Sequence, residues 1–147
     1  MSKIFIPDKD RRLFTLEVWM ATDDPTTALS VVLFTGNNLL EIAKDDLHGY
    51  FDFEAAQHVA DEYYKGFRCP TRHEAIEMYD ARFRGLDEAF EKIGGKPART
   101  TGWTSEADPD PKYSSSNAFI YNGDSGGVVS RDKHSMLVVR PVRLFKK

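Results

Sequence analysis

Residues 52–95 read DFEAAQHVADEYYKGFRCPTRHEAIEMYDARFRGLDEAFEKIGG, and the periodicity of this stretch decides the fold class. Asp52 can cap a helix in which Phe53, Ala56, Val59, Ala60 and Tyr63 recur three or four residues apart, ending near Gly66. Thr71-x-x-Glu74 is a capping box that opens a second helix, with Pro70 just before it and Ala75, Ile76, Met78 and Tyr79 on its buried side. A third helix buries Leu86, Ala89, Phe90 and Ile93 and stops at Gly94-Gly95.

The flanks carry strand patterns instead. Upstream, Lys3–Ile6 and Leu13–Met20 surround the turn-forming Pro7-Asp8-Lys9-Asp10 and are expected to be strands. Ala28–Phe34 and Leu39–Ala43 enclose Thr35-Gly36-Asn37-Asn38 and predict a hairpin. Downstream of Gly95 the composition turns to Thr, Gly, Ser, Asp and Pro, and Asp108-Pro109-Asp110-Pro111 can continue neither ladder nor helix, so a long surface loop is expected. Ala118–Tyr121, Val128–Ser130 and Met136–Leu144 then predict a closing β-meander. Strands, helices, then strands again give an α+β class, with two or three central helices on short antiparallel sheets and long loops.

A chain of 147 residues, 41% hydrophobic and 29% charged, fits one folded domain. A formal charge of −3 offers no positive field for nucleic acid. The longest apolar run, Leu29–Phe34 broken by Ser30, is far short of the about 20 residues that cross a bilayer, so no membrane insertion is expected. Met1-Ser2-Lys3 is followed by Pro7, Asp8 and Asp10 without an apolar leader core, which predicts a cytoplasmic or virion component. Cys69, the single cysteine, cannot form an internal disulfide; it reads as a small packing residue, with a thiol nucleophile as the alternative. No zinc-like Cys/His spacing is present, and no cofactor or metal is called for.

Three separated segments resemble a bacterial and phage domain family of unknown function with a C-type-lectin-like fold: Phe67-Arg68-Cys69-Pro70-Thr71-Arg72-His73-Glu74-Ala75, Gly102-Trp103-Thr104-Ser105-Glu106, and Val139-Arg140-Pro141-Val142-Arg143-Leu144-Phe145. The family patterns are an arginine and Pro-Thr ahead of a helix-opening glutamate, Trp-(Ser/Thr)-Ser-x-Glu, and Val-Arg-x-Val-Arg. Cys69 stands where the family usually has an apolar residue. The resemblance implies a lectin-like domain over 26–147. Residues 1–25 match nothing in the family and are read as a docking or oligomerisation segment that pairs with another chain or packs under the domain.

Physical chemistry adds roles. Arg68, Arg140 and Arg143 offer planar bidentate donors, and Glu74 and Glu106 offer matching carboxylates, so structural pairing is expected over ordinary surface charge. The candidate ligand face combines Trp103, Tyr113, Asn117, Tyr121, Asn122 and Asp124, because Tyr, Trp and Asn supply rigid area and adaptable hydrogen bonds. Packing is the competing role for Trp103, Tyr113 and Tyr121. Gly123-Asp124-Ser125-Gly126-Gly127 matches the surroundings of a trypsin-like nucleophile, yet His48, His58 and His73 lack the setting of its base, and a glycine-rich turn is the expected reading. The lectin-like scaffold is shared with formylglycine-generating enzymes, whose chemistry needs two cysteines. Glu106, Asp108 and Asp110 could offer oxygen ligands to calcium, with a solvated acidic loop preferred. The expected function is therefore non-enzymatic: a recognition or structural module for a protein or glycan, as a homo-oligomer or as a decoration, fibre or adaptor subunit of a larger assembly such as a phage particle. A bacterial surface glycan-binding protein is the alternative, and a serine hydrolase using Ser125 a distant one.

Overall fold

A computed structural model describes residues 3–63 and 65–145. Two antiparallel sheets and a set of short helices form an α+β fold. The larger sheet has the order β2-β1-β3-β4-β8, with β1 at Lys3–Pro7, β2 at Leu13–Thr15, β3 at Ser30–Phe34, β4 at Leu39–Ala43 and β8 at Val142–Leu144. The smaller is a meander of β5 (Thr101–Ala107), β6 (Asn117–Asn122) and β7 (Val128–Asp132). Between the sheets in sequence lie α2 (Phe53–Tyr63), α3 (Arg72–Ala81) and α4 (Leu86–Lys92), after the single-turn α1 (Leu16–Met20). Among the described residues, no helix is long and apolar enough to cross a membrane.

Alternation along the central strands divides the core. Val31 and Leu33 of β3 and Leu40 and Ile42 of β4 face Met78, Leu86, Phe90 and Ile93 of the helical side. A second cluster joins Phe53, Ala56 and Ala60 of α2 to Cys69, Trp103, Ile120 and Val139. The Asp52 cap and the Thr71–Glu74 capping box both form as the sequence predicts, the first through Ala55 N–H donating to Asp52 Oδ1 at 2.9 Å.

Three expectations need correction. Leu13–Met20 is a strand only as far as Thr15, whose hydroxyl caps α1 by accepting from Val18 N–H at 3.3 Å. The helix turns Trp19 into the core, where its indole N–H donates to Pro25 O at 2.8 Å. The stretch after Gly95 is not all loop, because Thr101–Ala107 forms β5 against β6. Met136–Leu144 is not one strand: Leu137 bridges Phe51, Val138 bridges Gly102, and Pro141, which has no N–H to donate, separates these from β8, which returns to β4. The closing meander is thus β5–β7, and the last strand belongs to the other sheet.

Residues 3–25 do not stand apart from 26–147. Strand β1 is paired on both edges, with Phe5 opposite Thr15 on one side and Val32 on the other, and Ile6 is wholly buried.

Candidate functional site

Of the three segments quoted for the resemblance, the first is hydrogen-bonded to both others. Arg68 and Val142 exchange both backbone bonds at 2.8 Å, Ser105 N–H donates to Pro70 O at 2.9 Å, and Arg72 Nε donates to Glu106 Oε2 at 2.6 Å. Arg68 grips Glu74 with a two-pronged fork, Nη1–Oε1 at 2.6 Å and Nη2–Oε2 at 2.8 Å. Burial opposes the Glu74 charge, but this fork and the Thr71 backbone N–H outweigh it and hold the carboxyl below its ordinary range.

Arginine partners differ from the simple expectation. Glu106 is taken by Arg72 rather than by Arg68, Arg140 or Arg143. Arg140 is fully buried and donates to Ala43 O at 2.7 Å, to Lys44 O at 2.9 Å, to Lys96 O and to Asp46 Oδ1 at 3.3 Å, with its guanidinium 4.5 Å from the Phe90 ring centre. It pins two chain segments, Ala43-Lys44 and Lys96, through carbonyls, a role that side-chain pairing rules do not suggest. Gly95 permits the approach, since a Cβ there would lie 2.3 Å from Lys44 O.

The six residues of the candidate ligand face do not form a face. Trp103 is fully buried, its indole N–H donating to Phe51 O at 2.8 Å, and Tyr121 is buried opposite Gly102 with its hydroxyl packed over that glycine. Both serve packing. Asn117 opens β6, with Tyr113 in the turn before it, while Asn122 closes the strand about 17 Å from Asn117 at the rise of a strand, and Asp124 follows in the next turn. Asn122 Oδ1 accepts from the N–H groups of Asp124 and Ser125 and so shapes the turn, while Arg82 Nη1 clamps that turn through Gly123 O and Asp124 O, both at 2.8 Å.

Other candidates take ordinary roles. Ser125 Oγ accepts from Gly127 N–H at 3.3 Å, and among the described residues no histidine bonds to it; His73 faces Glu77 and His134 faces Asp132. Cys69 is buried, donates to Ala56 O at 3.3 Å, and burial pushes its thiol up to about 12, far from a thiolate. In the acidic loop Asp108 accepts from Ser130 Oγ and Asp110 N–H, and Asp110 from Lys112 N–H, so these carboxylates fold the loop on itself.

Tyr121 and Asn122 line a small cavity of about 20 Å³ with Arg82 and Leu86, and a wider concavity lies elsewhere. A groove of about 660 Å³ is lined by the β1–β2 turn, Trp19, Leu29 and the Glu41–Arg143 pair. Glu41 and Arg143 in its lining end a cross-strand row, Thr15–Phe5–Val32–Glu41–Arg143, that runs through all five strands. Glu41, only 5% exposed, accepts from Arg143 Nε at 2.8 Å, Arg11 Nη1 at 3.1 Å and Ser30 Oγ at 2.7 Å. Arg11 reaches it from a turn in which its backbone is left-handed, φ 66°, the sole non-glycine example among the described residues. Asp8 stiffens that turn by accepting from Asp10 and Arg12 N–H. Sequence reasoning passed over this site, although Leu39-Leu40-Glu41-Ile42-Ala43 signals it: a lone carboxylate in an apolar buried strand must be paired.

No protein-family model matches the chain, and a search of curated proteins finds no match.

Proposed function

We propose that the chain is a non-enzymatic recognition module with a C-type-lectin-like fold, and that it engages its partner, a protein or a glycan, through the groove over Glu41. The scaffold part of this reading is supported by the hydrogen bonding of the first motif segment to the other two, which engages Arg68, Arg72, Glu74 and Glu106 in internal contacts. The observation that carries the functional part is the groove itself. Its volume falls in the range of ligand sites, about 300–1,000 Å³, and charged groups converge on its floor between apolar walls.

The test is an amide NMR titration with separate peptide and oligosaccharide mixtures. Shifts confined to Pro7–Arg11, Thr27–Ser30, Glu41 and Arg143 are the expected result. Shifts centred on Asn122–Gly127 would return the recognition face to the β6–β7 turn.

A further inference from the structure

We infer that the outer edge of β7 takes up an extended acidic peptide as an added antiparallel strand, with a carboxylate of the peptide opposite Arg131 and an apolar side chain opposite Val128; the site is separate from the groove over Glu41 and does not rest on it.

The backbone comes first. β7 is the end strand of the smaller sheet. Asn122 N–H donates to Gly127 O at 2.8 Å and Lys133 N–H to Ser116 O at 2.9 Å, so the bonds to β6 fall at odd-numbered positions from Gly127 to Lys133. Val128, Ser130 and Asp132 therefore turn their N–H and C=O groups outward. Ser135 N–H takes Asp132 O at 3.0 Å, while the outward N–H and C=O of Val128 and Ser130 have no partner among the described residues. From Val129 to Asp132 every residue is exposed, so this edge is open. The other sheet ends are occupied or short: Val138 and Pro70 bond along β5, Arg68 bridges β8, and β2 runs after three residues into α1. A strand added to β7 meets donors and acceptors already in ladder order.

Side chains choose the occupant. Arg131, opposite Ala118, and Val129, opposite Ile120, project from one face; Val128, opposite Tyr121, and Ser130, opposite Phe119, project from the other. Arg131 is exposed, and its side chain has no ion-pair or hydrogen-bond partner among the described residues. On the outer edge it holds a position without ladder bonds, where facing side chains come closest. A carboxylate there meets an unpaired cation. On the opposite face Asp108 lies against Ser130 Oγ at 2.6 Å and repels an acidic residue, while Val128 shares an open depression of about 460 Å³ with Ile76 and Phe119. An apolar side chain fits beside them.

A second copy does not answer this pattern. Outward groups at even positions make an antiparallel twin pair even residues with even and odd with odd. Arg131 would then meet Val129, its own counterpart or Lys133, and never Asp132. Like charges opposed across an edge deter such pairing.

The experiment measures fluorescence anisotropy of labelled peptides containing Glu-Thr-Val-Leu, in which Glu falls opposite Arg131 and Leu opposite Val128, against the intact chain. The Glu peptide should bind, and its Gln counterpart about threefold more weakly. N-methylation of the Thr amide, which faces Ser130 O, should weaken binding about tenfold; N-methylation of the Val amide, which points away from β7, should leave it within about twofold. Arg131→Glu should reverse the charge preference in favour of a Lys-Thr-Val-Leu peptide, a rescue that also shows the variant to be folded. No binding of the Glu peptide, equal losses from the two methylations, or an unreversed preference in Arg131→Glu would overturn the inference. Sedimentation of the chain alone as a dimer that the Glu peptide dissociates would make a second copy the occupant and overturn it as well.

Discussion

Arg68 and Glu74 are joined by two parallel hydrogen bonds that tie the bridge partner of Val142 to the first turn of α3. Glu74 also accepts from Thr71 N–H at 2.9 Å, so one carboxylate closes a capping box and a loop at once. Arg68→Ala is expected to cost ~1.5–3 kcal/mol in urea unfolding, the range for a charge-assisted bond with a shielded partner. Arg68→Lys should recover only part of this, because an ammonium cannot form the fork.

The same pair sets an acid dependence. The Glu74 carboxyl is held below its ordinary value of 4.5, so its contribution is fully present above that value and is lost as pH falls through the folded-state pKa. The stability gap between wild type and Glu74→Gln should therefore be flat at neutral pH and shrink below about 4.5. A gap that widens on acidification would mean that the carboxyl is raised, not lowered.

Trp103 packs edge-on to Phe53, ring centres 5.4 Å apart, with its N–H on Phe51 O. Trp103→Ala should lose ~3–5 kcal/mol, and Trp103→Phe, which keeps an aromatic ring but removes one of the two donors to Phe51 O and leaves it Leu137 N–H, ~1–3 kcal/mol. Calorimetric melting of both variants separates the packing share from the hydrogen-bond share.

The protease-like string Gly123–Gly127 behaves here as a packed turn. A Cβ on Gly123 would lie 1.9 Å from Ala98 O, so Gly123→Ala should destabilise by at least ~1–3 kcal/mol. Ser125→Ala and Asp124→Ala, at exposed positions, should stay within ~0.5 kcal/mol of wild type. A fluorophosphonate probe should leave Ser125 unlabelled; stoichiometric labelling would revive the hydrolase alternative.

How far the sequence could be read follows the range of the interactions. Helices α2 and α3 were legible because Asp52, Thr71 and Glu74 cap within one turn, a local code. By contrast α1 was misread as strand, since Val18 and Trp19 favour strands intrinsically and only burial of Trp19 against Pro25 turns the chain. Strand β5 was missed because its pairing with β6 is set across the intervening loop, through Trp103 opposite Ile120, and not by its own Thr- and Gly-containing composition. The site suffered most. Asn122 and Tyr121 look like a binding turn in sequence, whereas Arg11 and Glu41 stand thirty residues apart and meet only in the folded sheet.

Native mass spectrometry of the intact chain with mixed peptides and oligosaccharides tests the central claim most directly, because it reports complex formation and ligand mass in the same spectrum. The expected result is a complex holding a ligand of unchanged mass, weakened in Arg11→Gln and retained in Ser125→Ala. Ligand fragments that accumulate with wild type and vanish with Ser125→Ala would contradict it.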